Sequence, residues 1–222
     1  MDGRSRLVRR GKQQGVIVPT QALVLRFRVE LLETEPLVWR EIEVPGDYTF
    51  WDLHVAIQDA MGWSDYHLHR FVVPHSRTNK ELVFGIHNLG QDCDDPPGWA
   101  TQVASVMTTN NDTATYEYDF GDDWRHKLVL LDAFKRDFAL KYPRCNGGAR
   151  ACPPEDCGGV TGYTDIVEGL TSGTLDEDTR TWLPEGYDPD RFDPSTARFS
   201  DPHRRLAYSW YGDANKGDDP FG

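Results

Sequence analysis

Leu23-Val24-Leu25-Arg26-Phe27-Arg28-Val29-Glu30-Leu31 is the stretch from which the fold can be read. Leu23, Leu25, Phe27, Val29 and Leu31 alternate with Val24, Arg26, Arg28 and Glu30, and a period of two puts one set on a buried face of a strand. Glu33-Thr34-Glu35-Pro36 supplies turn chemistry, Leu37 to Val44 reads as the returning strand, and Pro45-Gly46-Asp47 breaks it. The buried face of this hairpin needs an apolar partner, and the next segment offers one. Phe50, Leu53, Ile57, Ala60 and Met61 follow at spacings of three, four, three and one, the stripe of a helix with one apolar side. Thr49 and Asp52 fit a capping box, and Gly62 tolerates the left-handed conformation that stops a helix. The expected helix therefore runs from Thr49 or Phe50 through Met61.

Further along, His67 to Val73 and Glu81 to Ile86 read as two more strands joined by Pro74 to Lys80, and Asn88 to Thr101 as a loop. A short strand is expected within Val103 to Thr108. A second hairpin has Tyr116, Tyr118 and Phe120 on one arm and Trp124, His126, Leu128 and Leu130 on the other, turning at Gly121-Asp122-Asp123. Tyr142 to Tyr163 is rich in Gly, Pro and Cys and reads as a loop, followed by a short helix over Thr164 to Leu170 and a last one over Arg204 to Trp210. The order of elements predicts an α+β domain: a mixed, mainly antiparallel sheet with the helix packed on one face, a β-grasp-like core and long loops. Its bounds are read as residues 21–210, between a basic tail (1–20) and a loose polar end (211–222).

The chain has 222 residues, 24 basic against 36 acidic side chains and a net charge of −12. Such a field repels phosphate backbones and argues against nucleic-acid binding by the body of the protein. Arg4, Arg6, Arg9, Arg10 and Lys12 are the exception, a short arm that reads as a solvated, disordered tail and would be the only nucleic-acid contact. No apolar run is long enough to span a bilayer, and the first residues lack the features of a secretory signal, so a cytoplasmic location is expected, with no membrane contact. In that compartment Cys93, Cys145, Cys152 and Cys157 should be thiols.

Several side chains could carry chemistry. His67 and His69, two apart on the expected strand, would share a face as metal ligands or a proton-transfer pair do; packing beside Phe71 is the plainer reading. Asp119, Asp122 and His126 could form a carboxylate–imidazole cluster, although acidic residues of a tight turn more often hold its amides, Gly121 is placed to supply a positive φ, and His126 shares its face with Trp124 and Leu128. Cys145, Cys152 and Cys157 are separated by six and four residues. Only the second gap suits zinc, and a fourth ligand would have to come from Cys93 or a histidine, so a rigid loop with packed thiols is preferred to a zinc site. No other cofactor is implied. Walker, dinucleotide-binding, nucleophile-elbow and His-Glu-x-x-His motifs are missing.

Three segments in this order resemble the plasmid pRiA4b ORF-3-like family: Gly62-Trp63 with His67-Leu68-His69-Arg70-Phe71; Tyr118-Asp119-Phe120-Gly121-Asp122-Asp123-Trp124-Arg125-His126; and Cys145 followed by Cys152-Pro153-Pro154-Glu155-Asp156-Cys157-Gly158-Gly159 and Gly162-Tyr163. Tyr187-Asp188-Pro189-Asp190-Arg191-Phe192-Asp193 resembles the family's acidic Asp-Pro segment, although Thr196-Ala197-Arg198-Phe199 lacks the Asn expected after it. The resemblance implies an α+β domain of plasmid, transposon-associated and other bacterial or archaeal proteins, without an established activity. The expected function is an accessory binding module linked to mobile elements, without catalysis, its acidic loops at Asp92–Asp95 and Glu155–Asp156 facing a basic protein partner. Two alternatives stand beside it. One is a metal-dependent hydrolase gathering His67, His69, Asp119, Asp122, Glu155 and Asp156; the other is DNA binding through the basic tail.

Overall fold

A computed structural model describes residues 19–78, 80–85 and 97–211, with the side chains of 210 and 211 left aside. The opening hairpin forms as expected. Strand β1 (Leu23–Leu31) pairs antiparallel with β2 (Val38–Pro45), in register from Val24↔Pro45 to Leu31↔Val38. Leu25, Phe27, Val29 and Leu31 are buried as the period of two predicts, whereas at the start of the strand Val24 is buried and Leu23 only partly so. Further strands are β3 (His69–Pro74), β4 (Glu81–Gly85), β5 (Thr113–Tyr118), β6 (Trp124–Lys135) and β7 (Arg144–Ala149). Among the described residues they complete a seven-stranded sheet in the order β4-β3-β5-β6-β1-β2-β7.

Every pairing in this sheet is antiparallel. The α+β class therefore stands, but the mixed sheet and the grasp-like core, which needs a parallel central pair, give way to an open antiparallel sheet. Two local readings also change. Val103 to Thr108 holds a 3-10 turn at Val103–Ser105 and a single bridge between Thr108 and Asn111 in place of a strand. Conversely, β7 lies inside the segment read as loop. Arg-Cys-Asn-Gly-Gly-Ala has no alternation, but an edge strand needs hydrogen bonds on one side only, and Gly148 fits where a Cβ would stand 2.8 Å from the Trp39 carbonyl oxygen. The bulge between Arg26 and Phe27 pairs Asp132 and then Leu130 with successive β1 residues, which turns Leu131 out of the ladder and explains the fading periodicity of β6.

Helix α1 (Phe50–Met61) has the predicted bounds. Thr49 accepts from the Asp52 amide, Asp52 accepts from the Thr49 amide, and Gly62 closes the helix at φ 91°. Thr49→Ala should therefore cost about 1 kcal/mol of stability; urea unfolding of that variant checks it, and a shift of under ~0.3 kcal/mol would show that the cap contributes nothing. Phe50 stacks on Phe84 of β4 at 4.1 Å, and Arg40 of β2 donates to the Ala60 carbonyl at the other end (2.9 Å), so the helix lies across the sheet. Phe192 covers the Arg40 guanidinium at 3.6 Å.

The chain then winds over α1. After α2 (Gly159–Ser172) and α3 (Glu177–Trp182), the last helix α4 (Pro202–Tyr211) and the segment before it bury the helix's outer side. Trp51 donates to the Pro202 carbonyl (2.8 Å), and Asp59 binds Arg205 (2.6 Å) and the Ser200 amide (2.8 Å). This second cover explains why Trp51, His54, Val55 and Gln58 are buried although they lie off the apolar stripe. Among the described residues, no helix is long and apolar enough to cross a membrane.

Candidate functional site

The three signature segments meet at the end of the sheet where α1 stops. Trp63 is the centre. Its indole donates to the Pro153 carbonyl (2.9 Å), its ring stacks on Tyr118 at 5.1 Å, and it meets His126 edge-on at 5.4 Å. Glu155 accepts from the Ser64 amide (2.9 Å) with one oxygen and from the Tyr118 hydroxyl (2.7 Å) with the other. Burial, reinforced by that hydrogen bond, pushes the Tyr118 hydroxyl well above its ordinary pKa. Asp122 accepts from the Gly158 amide (3.2 Å), and Gly159, at φ 68°, packs so closely that a Cβ would stand 2.5 Å from the Asp122 carbonyl oxygen. Glu155 and Asp122 are thus hydrogen-bonded braces between segments.

His67 and His69 part company. Strand β3 begins at His69, so the two do not share a strand face as expected from a longer strand. His69 is buried, with its ring stacked on His54 of α1 at 3.4 Å and 9°. His54 touches the Asp65 carboxylate through Nε2 (2.7 Å) and the Tyr116 hydroxyl through Nδ1 (2.8 Å), while Gln58 donates to the same hydroxyl (2.8 Å). Because Tyr116 accepts from Gln58, its own proton goes to Nδ1, which leaves the ring proton on Nε2 facing Asp65. Burial, followed by the neighbouring His54 ring, holds His69 well below the usual histidine pKa. Arg205 approaches Asp65 at 3.7 Å. Sequence reading passed over His54 and Asp65. The available signal was His54 and Gln58, two polar residues four apart on one helix side, which reach the same tyrosine hydroxyl.

His126 is buried, as its face-mates Trp124 and Leu128 suggested. Its Nδ1 lies 3.3 Å from the Tyr116 carbonyl oxygen, and Nε2 has no hydrogen-bond partner among the described residues. Burial holds it down to about 3, against the opposing pull of backbone hydrogen bonds. The ring is a neutral core group and stands apart from Asp119 and Asp122, with which no ion pair or ligand group forms among the described residues.

His67, from the turn before β3, comes together with Asp119 and Asp156. Its Nε2 lies 3.5 Å from an Asp119 oxygen and 3.2 Å from an Asp156 oxygen. The other Asp119 oxygen accepts from the amides of Gly121 (2.9 Å) and Asp122 (3.3 Å). In this turn the left-handed residues are Asp119 (φ 53°) and Asp123 (φ 55°), not Gly121, because an aspartate that bonds the following amides tolerates that conformation. Each of the three segments therefore contributes one side chain to a small His/Asp/Asp set, with the Asp156 side chain 69% exposed.

The three described thiols do not gather. Cys145 donates to the Gly147 carbonyl (3.4 Å), Cys157 to that of Gly159 (3.9 Å), and all three described cysteines are free. Burial pushes Cys152 and Cys157 up to about 12. No set of three ligand groups among the described residues includes a cysteine. Cys93, the Asp92–Asp95 loop and the Arg4–Lys12 tail lie outside the described residues.

This architecture has relatives. The uncharacterised protein y4hQ of Sinorhizobium fredii (strain NBRC 101917 / NGR234) is 30% identical over 195 residues, which span 85% of this chain and 95% of that one. The crystal structure of a protein of unknown function, MM3350 from Methanosarcina mazei Go1, superposes with a TM-score of 0.74 at 37% identity, covering 80% of this chain and 98% of its own. Residues 23–196 match the description "Plasmid pRiA4b ORF-3-like protein", a span that takes in all three signature segments and the acidic Asp-Pro segment. The chain is a member of the plasmid pRiA4b ORF-3-like family.

Proposed function

We propose that the protein is an accessory binding module without catalysis of its own, which docks a basic segment of a protein partner in the groove beside α2. One observation carries the reading. That groove, of about 630 Å³, is lined among the described residues by Asp156, Asp165, Glu168 and Asp176 without a Lys or Arg, and has Ile166 and Trp182 among its apolar members. Trp182 is 48% exposed, an aromatic face against which an arginine or lysine side chain could lie. The net charge of −12 favours the same class of partner and disfavours nucleic acid. The family's plasmid description supports a place in mobile-element biology, reached through a protein.

The hydrolase reading is less well supported. The residues it would gather divide between a buried set around His69 and a half-exposed set around His67, while Glu155 and Asp122 are engaged as braces.

The test uses a fluorescent Arg/Lys-rich peptide and anisotropy. Binding is expected to weaken steeply with salt. Exchanging the exposed pair in Asp165→Lys/Glu168→Lys should weaken it at least about tenfold, equivalent to losing one close charge pair, with the melting temperature unchanged. Asp176 is left alone because it caps α3 through the Thr179 amide. No binding at low salt, or equal binding by the charge-reversed variant, would overturn the reading.

A further inference from the structure

We propose that His67, Asp119 and Asp156 hold one divalent first-row transition-metal ion. An ion about 2.1 Å from each of its ligands sets neighbouring ligand atoms about 3.0 Å apart in octahedral and about 3.4 Å apart in tetrahedral coordination. The His67 nitrogen lies 3.5 Å from Asp119 and 3.2 Å from Asp156, which is ligand spacing. It is also longer and less aligned than a charge-assisted hydrogen bond: the nitrogen atom is buried from solvent and has no hydrogen-bond partner among the described residues. A ring nitrogen within 3.5 Å of two carboxylate oxygens, with hydrogen-bond geometry to neither, is placed as a metal ligand is rather than as a donor.

The surroundings agree. Asp119 keeps one oxygen fixed by the Gly121 and Asp122 amides and leaves the other toward His67, the arrangement by which outer hydrogen bonds orient a ligand. His67 and Asp156 retain side-chain exposures of 29% and 69%, so water can reach the ion and complete its shell. One imidazole with two carboxylates suits zinc, manganese or iron(II) better than calcium, which takes oxygen ligands, or copper(I), which prefers sulfur. The other candidate set, His54, Asp65 and His69, is different in kind. There the nitrogen–oxygen distance of 2.7 Å is already a hydrogen bond, and the Arg205 guanidinium lies 3.7 Å from Asp65, so the carboxylate has a cation beside it.

The inference does not depend on the acidic groove, and its test leaves Asp165 and Glu168 unchanged. Full-length protein freed of metal by chelation is titrated calorimetrically with Zn²⁺ and, separately, Mn²⁺, and with Co²⁺ by absorbance. Expected is one ion per chain, weakened at least tenfold by His67→Ala and by Asp156→Asn, with a cobalt spectrum free of thiolate charge-transfer bands. Asp156 is exposed, so Asp156→Asn should fold as the parent does, and its unchanged metal-free melting temperature checks that. Failure of all three ions to bind, binding undiminished in both variants, or a thiolate band would each overturn the assignment.

Discussion

Acidification from about pH 7 to about pH 4.5 is expected to destabilise the folded chain by roughly 2.5 kcal/mol through His126 alone. The ring is buried and held down to about 3 in the folded state, whereas in the unfolded chain it takes up a proton near the ordinary histidine value of about 6.5. A folded-state pKa below the unfolded one means that the unfolded chain binds more protons. Stability is therefore full above about pH 6.5 and is lost as the pH falls from there toward about 3, at about 1.4 kcal/mol per unit. His69, also held low by burial, acts in the same direction and steepens the loss. His126→Leu separates this effect from general acid sensitivity. Leucine has nearly the same volume, removes the unpartnered Nε2 and cannot titrate, so the variant should lie close to the parent at neutral pH and exceed it by roughly 2 kcal/mol near pH 4.5. Urea unfolding at both pH values measures the difference; parallel pH profiles for parent and variant would show that His126 is not the group responsible.

That prediction rests on burial, and burial is where sequence and structure diverged most. The two hairpins and α1 were legible because their signals are local: alternation over Leu23–Leu31, a capping box between Thr49 and Asp52, a glycine at the helix end. What failed to show was whatever a distant segment covers. His54 sits outside the apolar stripe of α1, and only α4 with the residues before it, almost 150 positions later, seals that side through the Asp59–Arg205 pair (|i−j| = 146). β7 was hidden because its pairing with β2 supplies the order that its glycine-rich sequence lacks. His67 and His69 misled because a strand beginning two residues later than expected sends one to the surface and the other beneath α1. The convergence of the three signature segments was also invisible. They read separately as a strand, a hairpin and a loop, and nothing within one announces that a carboxylate of another reaches its amides.

The convergence sets the second large expectation. Trp63→Ala should lower stability by about 3–5 kcal/mol, the range for emptying a large aromatic site in a core. The indole is 5% exposed and lies against Tyr118, Trp124 and His126, so its removal leaves a cavity bounded by rings that cannot collapse without moving two strands. It also strips the Pro153 carbonyl of its donor, which releases the loop carrying Cys152, Glu155 and Asp156. Trp63→Phe divides the two contributions, since it retains most of the packing and loses the N–H; a smaller cost, about 1–3 kcal/mol, is expected for the carbonyl left unpaired. Thiol labelling reads the loop directly. Cys152 is pushed up to about 12 by burial, and in both variants it should react faster than in the parent under native conditions, before global unfolding. If Trp63→Ala unfolds at the parent's denaturant midpoint, or destabilises the chain without speeding the labelling of Cys152, then Trp63 is not what clamps the proline-rich loop to the sheet, and Glu155, through Ser64 and Tyr118, must hold it together with Asp122, through Gly158, and Tyr187, through the Cys152 carbonyl.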